Sequence, residues 1–315
     1  MLTRSACGYG PHWGEIMSIM MGNINKTTQS LRDEPMSAHT SWRIGGLADL
    51  FYQPVSMEEL SRFLSEQDPK IKIHWVGLGS NMLVRDGGIR GLVICTRDLP
   101  KQIERISEYQ VKVTAGVPCT SLARKCARWK IGSAAFFAGI PGTFGGALAM
   151  NAGAFGGETW DFVDTVETIN RSGEVHSRTT ADFKVGYRSV SGPIDEWYLG
   201  ALLAFETDSN ADFSSISELM RHRSSTQPLG KRSCGSVFRN PPDGFAAQLI
   251  EAAGLKGAHI GDAVVSEKHA NFIINNGSAS ADDVERLIRL IRRRVKADCG
   301  VMLELEVQIL GEKLA

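Results

Sequence analysis

Residues 132–157 read GSAAFFAGIPGTFGGALAMNAGAFGG, a stretch with eight of the chain's 33 glycines and no charged residue. Ordering a glycine costs more backbone entropy than ordering any other residue. So dense a run is kept where the backbone must approach a ligand closely, with amide N–H groups turned toward an anion. The rest of the chain has to say which ligand.

Length sets the frame. A chain of 315 residues is too long for one small core, so two domains, or one large and one small, are expected. The composition, 43% hydrophobic and 22% charged, is that of an ordinary globular protein. Thirty-five basic residues balance 35 acidic ones, so no global field draws the chain to nucleic acid or to a membrane surface. Anion binding must come from local clustering. No stretch approaches the roughly 18 apolar residues of a membrane span, so no membrane insertion is expected.

The six cysteines, Cys7, Cys95, Cys119, Cys126, Cys234 and Cys299, form no C-x-x-C pair, and the histidines are scattered. No metal site is expected from that spacing. Cysteines so placed, without a secretory signal, suit a reducing cytosol and a cytoplasmic protein. The one apolar run near the N-terminus, 16–21, is short, interrupted by Ser18 and preceded by Glu15, unlike a signal peptide. Residues 1–30 read as a poorly ordered extension, with Met17, Met20 and Met21 as further candidate starts.

Alternating strand and helix patterns indicate an α+β or α/β chain. Ser56 and Glu59 form a capping box before a helix with Met57, Leu60 and Leu64 on one face. Residues 71–76 read as a buried strand running into Gly77-Leu78-Gly79-Ser80-Asn81, and 92–96 and 111–115 as further strands. Residues 122–130 read as a helix with Gly132 as its C-cap. Strands at 163–169 and 174–178 flank a hairpin signal, Asn170-Arg171-Ser172-Gly173, and 197–205 is another apolar strand. Thr207 to Asp212 is polar and linker-like, which places a boundary near residue 208. The clearest helix starts after a Ser280 cap with Asp283 three residues on. Val284, Leu287, Ile288, Ile291 and Val295 line its apolar face, and Gly300 ends it. Arg292, Arg293 and Arg294 near its C-terminal end need no ligand, because the helix dipole favours cations there. Residues 301–309 alternate as a strand, with Glu304 and Glu306 on one face.

Two common nucleotide signatures are missing. G-x-G-x-x-G occurs nowhere, since Met82 fills the third glycine position after Gly77 and Gly79, and G-x-x-x-x-G-K-[ST] is also absent. Two glycine turns remain, 77–81 and 139–146. Either is a tight structural loop by default, yet both can offer amide N–H groups to a pyrophosphate. Residues 219–242 contain no acid but five cations: Arg221, Arg223, Lys231, Arg232 and Arg239. Crowded like charges are tolerated best around an anion, and arginine forks match phosphate geometry. A basic surface loop is the plainer alternative. Ser236, inside that segment, is not in a G-x-S-x-G elbow, so a serine hydrolase is unsupported. A turn residue is its plain reading. In a dry site it could pass a proton. Spacing alone connects neither Tyr187-Arg188-Ser189 nor Glu306 to it.

In order and spacing, a set of motifs resembles the UDP-N-acetylenolpyruvoylglucosamine reductase (UDP-N-acetylmuramate dehydrogenase) family from about His39 to Gly311. They are His39-Thr40-Ser41-Trp42-Arg43-Ile44-Gly45-Gly46, Gly77-Leu78-Gly79-Ser80-Asn81-Met82-Leu83, Gly139-Ile140-Pro141-Gly142-Thr143-Phe144-Gly145-Gly146 and Asn151-Ala152-Gly153-Ala154. Tyr187-Arg188-Ser189, Gly235-Ser236-Val237-Phe238-Arg239-Asn240-Pro241, Lys268-His269-Ala270-Asn271-Phe272 and Leu303-Glu304-Leu305-Glu306-Val307 complete the set. The short interval between Tyr187 and Ser236, with compact segments at 254–257 and 268–273, resembles the shorter, second type of member.

The resemblance implies an α+β fold: an FAD-binding fold of the vanillyl-alcohol-oxidase (PCMH) kind in two subdomains, plus a smaller α/β substrate-binding domain. It divides the chain into 31–208 for FAD, 209–300 for the UDP-sugar, and 301–315 returning Glu306 to the active site. It implies noncovalent FAD, NADPH as reductant, a UDP-sugar substrate and a monomer active in peptidoglycan synthesis. Reduced flavin would pass hydride to the vinyl β-carbon of the enolpyruvyl group, yielding UDP-N-acetylmuramate. By resemblance Ser236 donates the proton to the α-carbon, and Arg188 and Glu306 stabilise the enol-like intermediate, Glu306 in its acid form. The cofactor residues implied are Gly77, Gly79, Ser80, Asn81 and Met82, then Gly139, Ile140, Pro141, Gly142, Thr143, Gly145 and Gly146, then Asn151, Ala152 and Gly153. Those implied for the substrate are Tyr187, Arg223, Lys231, Arg239, Asn240, Lys256, His269 and Asn271. Two alternatives remain open on sequence: an FAD-dependent sugar or alcohol oxidase of the same fold, and a nucleotide-sugar binding protein without turnover.

Overall fold

The structure, a computed structural model, describes residues 30–205 and 213–314. The expected extension, apart from Ser30, and the expected linker Thr207 to Asp212 lie outside the described residues. Among the described residues no helix is long and apolar enough to cross a membrane.

Two sheets make up the first two-thirds of the chain. The first has the order Leu31–Pro35, Leu47–Tyr52, Ile89–Cys95, Ile73–Val76, with an antiparallel first pair and parallel pairs after it. Its inner residues, among them Phe51, Val76, Ile89 and Val93, are buried with Met36. The helix Met57–Ser65 covers the other side through Leu60 and Leu64. Ser56 caps that helix by accepting from Glu59 N at 3.1 Å, while the Glu59 carboxylate accepts from Val55 N rather than from Ser56 N. The second sheet is antiparallel, in the order Val175–Thr179, Val163–Asn170, Glu196–Ala204, Gln110–Thr114, Ile103–Arg105. The hairpin expected at Asn170-Arg171-Ser172-Gly173 joins its first two strands, with Gly173 at φ 81.

The glycine run lies against this second sheet and is mostly helical. It forms a 3-10 helix, Gly132–Gly139, a short α-helix, Phe144–Met150, and the strand Gly153–Ala154. Phe136, Phe137, Phe144 and Leu148 are buried in a core shared with the helix Cys119–Arg128. That helix ends earlier than the sequence suggests. Lys130, at φ 60, takes the left-handed turn expected of Gly132, which instead opens the next helix.

A third core joins the ends of the chain. The helix Ala281–Cys299 buries Val284, Leu287, Ile288, Ile291 and Val295 against the strands Ala263–Val265 and Ile273–Asn275. Ser280 and Asp283 form its capping box, and Gly300 closes it at φ 73. Trp42, Ile44 and Leu83 from the N-terminal part are buried in the same core. Trp42 Nε1 donates to Ile273 O at 2.7 Å, and Asn275 Nδ2 donates to Trp42 O at 2.9 Å. Arg85 pairs with Glu285 at 2.7 Å, and Asp86 accepts from Ala281 N and Asp282 N at the helix start.

The expected strand over 301–309 is only partly formed. Leu303 and Val307 point into the core as the alternation implies. The ladder, however, is reduced to one bridge, Phe238↔Leu305, and a parallel pairing of Gln308–Leu310 with Met82–Val84. Among the described residues no strand pairs the whole segment.

Candidate active site

Arg188 is the hub. It sits with Tyr187 in the two-residue turn between the strands Lys184–Gly186 and Ser189–Ser191. Its φ of 52 is left-handed, a conformation that costs an arginine about 1 kcal/mol or more and that clusters at functional sites. The turn folds the guanidinium back over the Tyr187 ring, 4.9 Å from its centroid. Nη2 donates to Gly153 O at 2.9 Å, and Nη1 donates to Asn151 O at 3.2 Å and to Glu158 Oε1 at 3.3 Å. On its other edge, Nε lies 3.3 Å from Glu306 Oε1. Gly153 makes room for this: a Cβ there would sit 2.5 Å from Gly157 O and 3.1 Å from Arg188 Nη1.

The segment bearing Ser236 reaches the same place through backbone pairing. Glu306 N donates to Val237 O at 2.9 Å and Arg239 N donates to Glu304 O at 2.9 Å. Arg239 Nη2 donates to Arg188 O at 3.1 Å, and its buried Nε has no partner among the described residues. The Ser236 hydroxyl makes no hydrogen bond to any described residue and is partly exposed, beside Gly235 at φ 73. Burial pushes the Glu306 carboxyl above the usual carboxylate range, opposed by the nearby charges of Arg188 and Arg239. Glu304, which alternation could not separate from Glu306, is exposed.

The two glycine turns face each other. A Cβ on Gly77 would sit 2.5 Å from Thr143 Oγ1, and one on Gly142 would sit 3.1 Å from Ser80 Oγ. Thr143 Oγ1 is buried without a hydrogen-bond partner among the described residues. Gly146 is open, its nearest neighbour being Thr143 Oγ1 at 3.7 Å from a built Cβ. Other glycines of the run have a different reason. Gly139 is pressed against Ala154 and Phe155, and Gly145 against Ala115, with Cβ approaches of 2.6 and 2.8 Å. Cys95 and Cys234 back the first turn with thiols on Gly77 O and Gly79 O, and burial pushes the Cys234 thiol up to about 12. A cleft of about 920 Å³ opens from this turn, lined by Gly77, Leu78, Arg43, Arg97, Lys231 and Arg232 among others. Open glycine backbone, an orphaned buried hydroxyl and four cations suit a dinucleotide with its diphosphate.

Several of the expected site residues have protein partners. The Asn151 side chain bonds to Glu158, Gly186 O and Trp160 N, and so shapes the arginine pocket. Asn271 is buried, its amide closed on Phe238 N and Phe238 O, which makes it a brace for the Ser236 segment. Asn240 accepts from Ala246 N, and Lys256 pairs with Glu251 at 2.6 Å. Arg223 donates to Gln227, and burial holds its pKa below the usual arginine value. His269 Nδ1 accepts from Asn271 N, and burial lowers its pKa. Lys231 lies in the cleft with Gly77 and Leu78, on the expected cofactor side. Asn81 Nδ2 donates to Glu306 O at 3.0 Å, which ties the first glycine turn to the Arg188 centre. Sequence reasoning missed Glu158. Its only signal is that it is the first acid after the glycine run.

An FAD binding domain model matches residues 48–178, and the C-terminal domain model of UDP-N-acetylenolpyruvoylglucosamine reductase matches residues 227–310. With the site above, these make the protein an FAD-dependent oxidoreductase of α+β fold. The crystal structure of the reductase (MurB) from Thermus caldophilus aligns with a TM-score of 0.75 and 31% identity, over 90% of this chain and 99% of that one. The curated reductase from Methylococcus capsulatus is 53% identical over 90% of this chain and 94% of its own length. That from Legionella pneumophila (strain Corby) is 47% identical over 94% and 98%. The chain belongs to the UDP-N-acetylenolpyruvoylglucosamine reductase family.

Proposed function

We propose that this chain reduces the enolpyruvyl group of UDP-N-acetylglucosamine enolpyruvate to UDP-N-acetylmuramate, an NADPH-dependent step of peptidoglycan synthesis. The observation that carries this reading is the convergence of Arg188, Glu306 and the Ser236 segment on one partly buried point, from three separate parts of the chain. Noncovalent FAD, held by the backbone of the two glycine turns, by Thr143 and by the cations of the cleft, supplies the hydride when bound.

The residues then have separate tasks. As the β-carbon is reduced, negative charge grows on the α-carbon and its carboxylate. Arg188 holds a fixed cation there, oriented by four protein acceptors, so no reorganisation is needed as the charge develops. Glu306 in its acid form donates a hydrogen bond to the enol-like oxygen, which its burial favours. The Ser236 hydroxyl, unclaimed by any described residue, delivers the proton to the α-carbon. Arg239 and Tyr187 border the point where the substrate's anionic groups arrive.

Ser236→Ala tests the assignment. NADPH should still bleach the bound flavin, while formation of the saturated product falls by at least 10³-fold, within the range for a positioned proton donor. Normal product formation by this variant would remove Ser236 from the mechanism. A preparation that stays colourless with added FAD would remove the flavin reading altogether.

A further inference from the structure

One charged side chain in this network has so far figured only among the acceptors that orient Arg188. Glu158 touches Arg188 on the edge opposite Glu306. Its Oε1 accepts from Nη1 at 3.3 Å, and its Oε2 accepts from Asn151 Nδ2 at 2.7 Å. Asn151 in turn offers its carbonyl to the same Nη1 at 3.2 Å, so Glu158, Asn151 and Arg188 close a ring. The ring is held from behind. Glu158 N donates to Asp161 Oδ2, Trp160 N donates to Asn151 Oδ1, and Asn151 is fixed in the left-handed region at φ 45. Two carboxylates thus share one guanidinium, one on the Nη side and one on the Nε side.

We propose that Glu158 is a positioning residue: it is the standing counter-ion of Arg188, and by neutralising that cation it leaves Glu306 free to carry a proton. The inference deepens the reductase reading, on which the need for an acidic Glu306 rests. Two observations divide the labour between the carboxylates. Glu158 is the more hydrated, with 31% of its side chain exposed against 19% for Glu306, so a permanent charge is cheaper at Glu158. The hydrogen-bond geometry is also better on the Glu158 side, where the contact to Arg188 is a directed Nη1–H donation.

The charged groups facing Glu306 are Arg188 and Arg239. Glu158 acts on it through Arg188, and the Tyr187 ring covers another face of that guanidinium. With Glu158 in place the arginine charge is already balanced. Without it, Glu306 becomes the only carboxylate on Arg188 among the described residues, and both cations favour its ionised form.

The test is a titration of the Glu306 carboxyl by NMR in FAD-loaded protein labelled with 13C-carboxyl glutamate, the signal being assigned by its loss in Glu306→Gln. In Glu158→Gln, which can still accept from Asn151, the Glu306 midpoint should fall by about one pH unit. In Glu158→Asp, which keeps the charge one methylene further back, the fall should be smaller. The alkaline limb of enolpyruvyl reduction should move with the midpoint in both variants. A Glu306 midpoint that stays at its wild-type value in both folded variants would overturn the proposal, and an activity loss equal at every pH would mark Glu158 as merely structural. Since the NMR midpoint needs no substrate, it reports on Glu158 even if the wild-type protein fails to turn over the enolpyruvyl nucleotide.

Discussion

Two adjacent glycines give opposite expectations for the same substitution. Gly145 and Gly146 occupy the first turn of the helix Phe144–Met150, and neither has a positive φ. A Cβ on Gly145 would lie 2.8 Å from Ala115 Cβ and 3.3 Å from Ala115 O, both on ordered backbone that cannot swing away. Gly145→Ala should therefore destabilise the FAD-free protein by about 1–3 kcal/mol, the usual cost of overpacking. A Cβ on Gly146 meets only Thr143 Oγ1 at an ordinary 3.7 Å. Gly146→Ala should stabilise the FAD-free protein by about 0.5 kcal/mol, because alanine loses less entropy on entering a helix. Yet if this face lies against the flavin, the added methyl stands where the ligand must go. One displaced contact of about 1.4 kcal/mol is a tenfold loss of affinity. The assays are urea unfolding of the stripped protein and FAD titration by flavin fluorescence. The reasoning is refuted if Gly146→Ala binds FAD as tightly as the wild type, for the open glycine would then face no cofactor.

Two further outcomes follow from named contacts. Burial raises the Glu306 pKa, so its acid form persists above the usual carboxylate range; enolpyruvyl reduction should hold steady at low pH and decline as pH rises through that raised value. Glu306→Gln, a donor that does not titrate, should lower the rate yet flatten this decline; an unchanged alkaline limb in kcat would assign it to another group. Trp42→Phe removes the donor to Ile273 O inside the core that joins the two ends of the chain. It should cost about 1–3 kcal/mol in urea unfolding, the penalty for an orphaned buried carbonyl plus lost packing, and a cost below about 0.5 kcal/mol would contradict the contact.

What the sequence made legible was mostly local. The helix Ala281–Cys299 was readable to its caps because Ser280, Asp283, the apolar rows and Gly300 all lie within one segment. The 301–309 strand was half readable: alternation assigned Leu303 and Val307 to the core, but pairing depends on distant residues, here the segment around Phe238 and the strand Met82–Val84. Alternation also grouped Glu304 with Glu306, which burial and the contact with Arg188 separate. The glycine run announced close approach without saying to what. Gly139 and Gly145 meet the protein itself, while Gly142 and Gly146 face the other turn and open space. Glu158 was illegible because its partner lies 30 residues on, beyond a strand and a hairpin. The protein partners of Asn151 and Asn271 were illegible for the same reason: buried amides need partners, and distant backbone supplies them.

The central claim is that FAD, Arg188, Glu306 and Ser236 together reduce an enolpyruvyl nucleotide-sugar. The most direct measurement follows NADPH oxidation at 340 nm by the FAD-loaded protein while mass spectrometry follows UDP-N-acetylglucosamine enolpyruvate. The account predicts that NADPH is consumed one-for-one with a product two mass units heavier, and that deuterium from the solvent enters the α-carbon. A flavin that NADPH reduces readily while the enolpyruvyl compound stays unchanged would contradict it.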